Sequence, residues 1–342
     1  MPAAYSGIDV GRRHVVAILL AAVVALCPTG VALARGEPTT GGYVVWIPLD
    51  TAKLPSRATV TPEASFSPSP FRVAAYDIRT LPWEALPLNG MSLMRLRTPP
   101  NSDRDGIGYK VVNGKNYYSP GNVASEGIRF VDSYVRTGNP AYLDRARVRA
   151  AKLQQLGFIR NGGLFIPYGF DYPAEHLPAP WVSAYAQGLS LSLFVRLFRA
   201  TGEYRYVDLA QAVFRSFRTL GPRTRPWCSY VSNNDLWLEE YPSSRPTHVL
   251  NGFNFALFGL YEYERLTRDP AARQLLEGAL ATMRRRAVGY RVPGDISLYD
   301  LVHRTQHAHY HEIHIWQLRD LAAISGDRYF SDLANLFAAD YP

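Results

Sequence analysis

The stretch "DLWLEEYP", Asp235 to Pro242, sets two adjacent carboxylates and a phenol between an apolar pair and a proline. Trp237 and Leu238 are apolar and Pro242 stiffens the exit, so one of Glu239 and Glu240 is expected to point inward. An inward carboxylate beside Tyr241 is costly unless it is paired or functional. The plainer reading is a strand end with two solvated glutamates. "SLYD" (297–300) adds Tyr299, which at the mouth of a scaffold could join them and elsewhere would be packing. "HAHYHEIHIWQL" (307–318) holds four of the eight histidines around Tyr310. His307, His311 and His314, spaced by four and three, could share a helix face and bind a metal. No glutamate stands between His307 and His311 to serve a hydrolytic metal, and Glu312 is misplaced for it. No metal site is therefore expected, and Tyr310 and His311 are read as lining a bowl.

"NSDRDGIG" (101–108) matches the first half of a calcium loop through Asn101, Asp103, Asp105 and Gly106. Its twelfth position is Val112 rather than Glu. An Asx-rich turn explains the same residues, and structural calcium stays open; no other cofactor is expected. There is no Walker loop, Rossmann fingerprint or Gly-x-Ser-x-Gly, so phosphoryl transfer, hydride transfer and triad hydrolysis lack support.

The elements that must position these groups are repeated. "TGNPAYLDRA" at Thr137, "TGEYRYVDLA" at Thr201 and "SGDRYFSDLA" at Ser325 share Thr/Ser-Gly, then an aromatic, Asp and Ala at fixed offsets. "TRDPAARQLL" at Thr267 is a degenerate copy, and the intervals are 64, 66 and 58 residues. A helix-like stretch precedes each copy; Leu189, Leu193, Leu197, Phe194 and Phe198 mark one apolar stripe. Each unit therefore reads as a helix hairpin whose first helix closes at Thr/Ser-Gly. Four hairpins packed side by side predict a mainly α protein, an α/α toroid or partial α/α barrel, over 119–342. The segments 158–173, 226–242 and 288–300 fall at one phase of the repeat, rich in aromatics and glycine, and should gather at one end as a cleft.

Residues 35–118 read as a small β-rich or extended N-terminal part, with strands expected at 42–48 and 71–77 and a hairpin over 109–118 turning at Asn113-Gly114. Residues 1–34 read as a secretory signal: Arg12 and Arg13, an apolar run from Val15 to Leu26, small residues at Ala32 and Ala34. The expected location is secreted or in the cell envelope, with no membrane attachment after cleavage. Cleavage removes Cys27 and leaves Cys228 alone, so no internal disulfide is expected. With 47% hydrophobic residues in 342, the chain can bury a core. The net charge of +8 rests on 37 Lys and Arg, of which only Lys53, Lys110, Lys115 and Lys152 are lysines. Base composition explains such a bias; guanidinium forks that grip carboxylates or sulfates explain it too. An acidic polysaccharide is the expected partner, no nucleic-acid motif is present, and a homodimer is left open.

Taken together, "PWVSAYAQGLSLSLFVR" (180–196), "WLEEYP" with "HVLNGF" (237–253), "LYDL" (298–301) and "YHEIHIWQL" (310–318) resemble the C-terminal catalytic domain of D-glucuronyl C5-epimerases, over roughly residues 110–340. The resemblance implies an α/α-barrel domain that turns D-glucuronate into L-iduronate within a heparosan-type chain. It implies catalytic roles for Glu240, Tyr241, Tyr299 and Tyr310. Where the family has Arg after "YDL", this chain has Val302. Either His303 or Arg304 replaces it, or the substrate is not standard heparosan. Trp181, Gln187, Asn251, His303, Arg304, His311 and His314 are the expected substrate-binding residues, and His303, Arg304 and His311 the expected neighbours that lower a tyrosine pKa. The C5 proton lies alpha to a carboxylate, so its removal needs neutralisation of further negative charge, and inversion needs a base on one face and an acid on the other. Glu240 and Tyr310 are expected to be that pair, with Tyr241 and Tyr299 assisting. A polysaccharide lyase and an inactive glycan-binding protein are the alternatives.

Overall fold

Each repeat copy makes the corner of a helix hairpin. The computed structural model describes residues 62–89 and 92–342; the expected leader and the strand expected at 42–48 lie outside the described residues. The hairpins are α1 (Pro120–Thr137) with α2 (Pro140–Leu156), α3 (Ala184–Thr201) with α4 (Arg205–Phe217), α5 (Leu250–Thr267) with α6 (Pro270–Arg286), and α7 (Ala308–Ser325) with α8 (Arg328–Asp340). The repeat's hydroxyl explains why. Thr137, Thr201, Thr267 and Ser325 each donate to the carbonyl four residues back and accept the backbone N–H two residues on. One side chain thus ends a helix and aims the chain into the next. Gly138, Gly202 and Gly326 then take the left-handed conformation, at φ 69, 71 and 69°; Arg268 takes it at 55° in the degenerate copy. Asn139, Asp269 and Asp327 cap the helix that follows.

The first helix of each hairpin packs on the first helix of the next, α1 on α3, α3 on α5, α5 on α7, as an α/α toroid requires. Between α3 and α5 the backbones nearly touch: a Cβ on Gly188 would lie 2.4 Å from Ala256 Cα. Arg196 of α3 ties three helices, bonding Asp132 of α1 at 2.8 Å and Glu262 of α5 at 2.8 Å in a fully buried cluster.

The strands are short and belong to the connections. The β1 (Lys110–Val112) and β2 (Lys115–Tyr117) hairpin turns at Asn113 and Gly114, both left-handed, as expected from the sequence. Between α2 and α3 lie β3 (Phe158–Arg160), β4 (Gly163–Phe165), β5 (Pro167–Tyr168) and β6 (Trp181–Val182). Between α4 and α5 lie β7 (Leu220–Gly221), β8 (Ser229–Ser232) and β9 (Asp235–Leu238). The strand expected at 71–77 is extended chain without a ladder. Its apolar groups dock on helices instead, Phe71 against Gly278, and Arg72 makes a single backbone bond to Asn234. In the half-calcium motif, Asp103 caps its own turn through the N–H groups of Asp105 and Ile107, and also meets Tyr118 and Lys152. Those bonds hold the Asp103 carboxyl down at about 2 against its burial, and they are the bonds of an Asx turn. No helix among the described residues is long and apolar enough to cross a membrane.

Candidate active site

Connections at one phase of the repeat are sewn to each other at the starts of α3 and α5. Glu239, just past β9, receives a bond through its carbonyl from Ala184 N at the start of α3 (2.8 Å) and donates to Cys228 O (2.8 Å). Leu250 N, opening α5, donates to Tyr299 O at 3.0 Å, and Leu301 N to Thr247 O at 3.2 Å. These bonds bring "EEYP" and "LYDL" side by side. Tyr310 joins them from the first turn of α7, its ring 4.6 Å from that of Tyr299. The hydroxyls of Tyr241 and Tyr299 are 3.3 Å apart. Glu240 lies against the first turn of α5: a Cβ on Gly252 would lie 2.1 Å from its Oε2, so this position has to be glycine for the carboxyl to lie there.

Both glutamates are buried, for different reasons. Glu239 is held by His248, Nδ1 to Oε1 at 2.5 Å, and that imidazole stacks on Trp237 at 3.9 Å. Glu240 is 8% exposed and its Oε2 has no donor among the described residues. Burial pushes its pKa up to about 7; the hydroxyls of Tyr241 and Tyr299 offset part of that and the charge of Glu239 adds to it. Burial likewise raises Tyr241, Tyr299 and Tyr310 well above the ordinary phenol value, and the nearby Glu240 charge adds to each. The phenols are therefore neutral donors, and the expected cation that lowers a tyrosine pKa is not among the groups acting on them.

The expected binding residues divide. Trp181 lines the cluster: it stacks on Tyr168 at 4.2 Å and its ring lies 6.1 Å from Tyr241. Asn251 precedes Gly252, and its Oδ1 is buried with no donor among the described residues. His303 is half exposed at the edge, Nδ1 3.9 Å from both Glu175 and Asp300. Three expectations are corrected. Gln187 is fully buried and spent on Ile166 N, Leu164 O and Ser216 Oγ, so it holds β4 to α3 and α4 and reaches no cleft. His311 faces α8, with Nε2 bonding Phe337 O and Nδ1 taking Ser297 N. His314 is buried beneath Tyr310, bonds Ser297 Oγ at 2.7 Å, and is pushed down to about 3 by burial and by His311, so it is neutral. Arg304, unlike these three, is exposed beside His303, in a left-handed backbone position and without an ion pair among the described residues. No group of three metal-ligating side chains suited to an ion occurs among the described residues.

Two residues escaped sequence reasoning. Glu175, in a 3-10 turn between β5 and β6, is driven up to about 8 by burial and by the charges of Asp300, Glu240 and Glu239. Tyr172 packs on Tyr241 at 5.4 Å, and its hydroxyl is buried without a partner among the described residues. Tyr172 falls in the connection 158–173 marked out from the sequence, and Glu175 lies two residues beyond it. Asp300, expected only as part of a motif, shapes the loop by accepting the N–H groups of Val302, His303 and Thr305. The result is a dry floor of phenols around one unpaired carboxyl, with a second carboxyl held largely protonated at neutral pH. Such a set can take a proton from a carbon acid and supply one from another direction.

Comparison with known proteins bears on the family. The family model for the D-glucuronyl C5-epimerase C-terminus matches residues 160–339. A D-glucuronyl C5-epimerase of Caenorhabditis elegans is 26% identical over 194 residues, covering 49% of this chain and 31% of that protein. An uncharacterized protein of Methanocaldococcus jannaschii is 27% identical over 167 residues, covering 48% of this chain and 53% of that one. The match thus spans about a third to a half of these relatives' lengths. Among solved structures, cellobiose 2-epimerase from Bacillus thermoamylovorans superposes with a TM-score of 0.50 at 13% identity, over 70% of this chain and 66% of that one, which is a likeness of fold.

Proposed function

The chain belongs to the D-glucuronyl C5-epimerase C-terminus family, and from that premise we propose that it is a carbohydrate epimerase inverting C5 of D-glucuronate units in an acidic polysaccharide. The observation that supports this most is the convergence of Glu240, Tyr241, Tyr299 and Tyr310 from separate connections onto one desolvated spot. Glu240, near neutrality, takes the C5 proton. The electrons move toward the uronate carboxylate, where the phenol O–H groups of Tyr241 and Tyr299 donate to the growing charge. Tyr310 returns a proton from the other face, and Glu240 hands its own back to the phenol through Tyr299 or solvent.

Glu175 answers the loss of the arginine at Val302, which is 53% exposed here. Held protonated below about pH 8, Glu175 donates to the substrate carboxylate instead of repelling it. His303 stands beside it, its Nδ1 3.9 Å from Glu175. The basic leader-like sequence at residues 1–34 supports action outside the cytoplasm, secreted or in the envelope, where such polysaccharides are met.

The test is incubation with heparosan and related uronans in heavy water, read by NMR. Deuterium at C5 with iduronate and no ultraviolet-absorbing product is expected. An absorbing unsaturated product would mean that the 4-linked chain departs and the protein is a lyase. No exchange on any uronan would remove the enzymatic reading and leave glycan binding.

A further inference from the structure

Beyond Trp181 the floor continues into a second hollow. A cavity of about 200 Å³ is lined by Phe158, Arg160, Trp181, Arg225, Trp227 and Pro242, among others. Trp181 and Pro242 join it to the proton-transfer cluster: the first lies 6.1 Å from Tyr241 and the second follows it in sequence. Its wall is firm. Trp227 is buried flat against Gly221, where a Cβ would lie 2.2 Å from the indole, and its ring N–H has no acceptor among the described residues.

Two arginines give this hollow its charge. About half of the guanidinium groups among the described residues are spent on carboxylates, among them Arg149 on Glu126, Arg196 on Asp132 and Glu262, Arg215 and Arg218 on Glu63, Arg265 and Arg273 on Glu264, and Arg291 on Asp340. Arg160, at the end of β3, and Arg225, in the loop before β8, are exposed, and neither pairs with a carboxylate among the described residues. They come from different connections and meet at one cavity with aromatic walls. Rings take the faces of sugars, and guanidinium forks take carboxylates or sulfates bidentately.

We propose that this cavity is a subsite for a second acidic unit of the same chain, whose carboxylate or sulfate is gripped by Arg160 and Arg225 while a uronate elsewhere along the chain lies over Glu240; the identity of that uronate rests on the function proposed above. The subsite supplies the cationic anchor that the proton-transfer cluster itself lacks. Because both arginines are exposed, their grip weakens as salt rises.

Calorimetric titration of the full chain with a heparosan hexasaccharide and with a neutral hexasaccharide tests this. The acidic probe should bind more tightly than the neutral one, and the double change Arg160→Gln, Arg225→Gln should weaken it roughly tenfold at low salt. Arg160→Lys, Arg225→Lys should recover part of that loss, since charge returns without the fork. Far-ultraviolet circular dichroism should be unchanged. Equal binding of both probes by the unaltered protein, or a loss below about twofold in the Gln pair, overturns the proposal. A clear loss in a protein that never exchanges C5 hydrogen keeps the subsite and removes the epimerase reading alone.

Discussion

The Glu240 carboxyl lies on the bare backbone of Gly252 with phenols on its other sides, and the Glu175 carboxyl lies among other acids. Environment alone gives them different protonation. Glu240 as base must be ionised, which happens as pH rises through about 7. Glu175 as donor must be protonated, which is lost as pH rises through about 8. The product of the two fractions is a narrow bell, so kcat/KM on a uronan should climb to a maximum between about 7 and 8 and then fall. Glu175→Gln keeps a neutral donor and should abolish the alkaline limb, with kcat/KM flat above its maximum. Glu240→Gln should lower turnover roughly 10²- to 10⁴-fold at every pH. An alkaline limb that survives Glu175→Gln assigns it to another group, and the buried phenols, raised well above their ordinary value, titrate too high to be that group. Glu240 was legible because it sits in a dense local pattern. Glu175 was not, because a lone glutamate between prolines in "YPAEHLP" carries no periodicity; only the fold sets it near Asp300.

Helix hairpins were the most legible elements, since the hydroxyl and the left-handed residue that build each corner are adjacent, and in three of the four an Asx cap follows directly. What the sequence hid is which side of a helix looks into the cleft. Gln187 and His311 carry suitable groups and sit on the right helices, yet face the neighbouring helix and strand. The strand expected at 71–77 failed for a related reason: alternation of apolar residues fits a chain lying in a helix groove as well as a ladder. The tightest helix contact rests on a residue without a side chain. Gly259 presses on Gly188, where a Cβ would lie 2.2 Å from Gly188 O, and Gly188 presses on Ala256. Backbone cannot yield as a flexible side-chain end can, so Gly188→Ala must move α3 from α5. The expected cost is about 3 kcal/mol, read as a lower denaturant midpoint with unchanged slope. Gly202→Ala touches nothing within 4 Å but must hold φ 71°, and should cost only about 1 kcal/mol. Equal costs at the two sites would mean that α3 and α5 pack less tightly than described.

At the scale of the molecule, the extended segment before β1 is a strap that completes the helices. Its backbone carbonyls satisfy groups the helices bury. Arg196 Nη2 donates to Pro87 O at 2.6 Å, Arg265 Nη1 to Ile78 O at 2.8 Å, and Tyr261 Oη to Arg79 O at 2.9 Å. Gln274 brackets Phe66 through both its N–H and its carbonyl, at 2.7 and 2.9 Å. Phe71, Ile78 and Leu86 are buried against the helical layer. The boundary expected between 118 and 119 therefore separates two kinds of chain rather than two cores. Removing the strap leaves buried donors on three side chains without acceptors, each worth about 1–3 kcal/mol, besides the exposed apolar surface. The sum rivals the whole stability of an ordinary domain. A chain beginning at Tyr109 should therefore lose its cooperative thermal transition, whereas the full chain keeps one. The measurement is calorimetry on both, with far-ultraviolet circular dichroism to distinguish loss of packing from loss of helices. A shortened chain that melts cooperatively within a few degrees of the full one would show that the hairpins close on their own, and that Arg196, Arg265 and Tyr261 find water where they now find the strap.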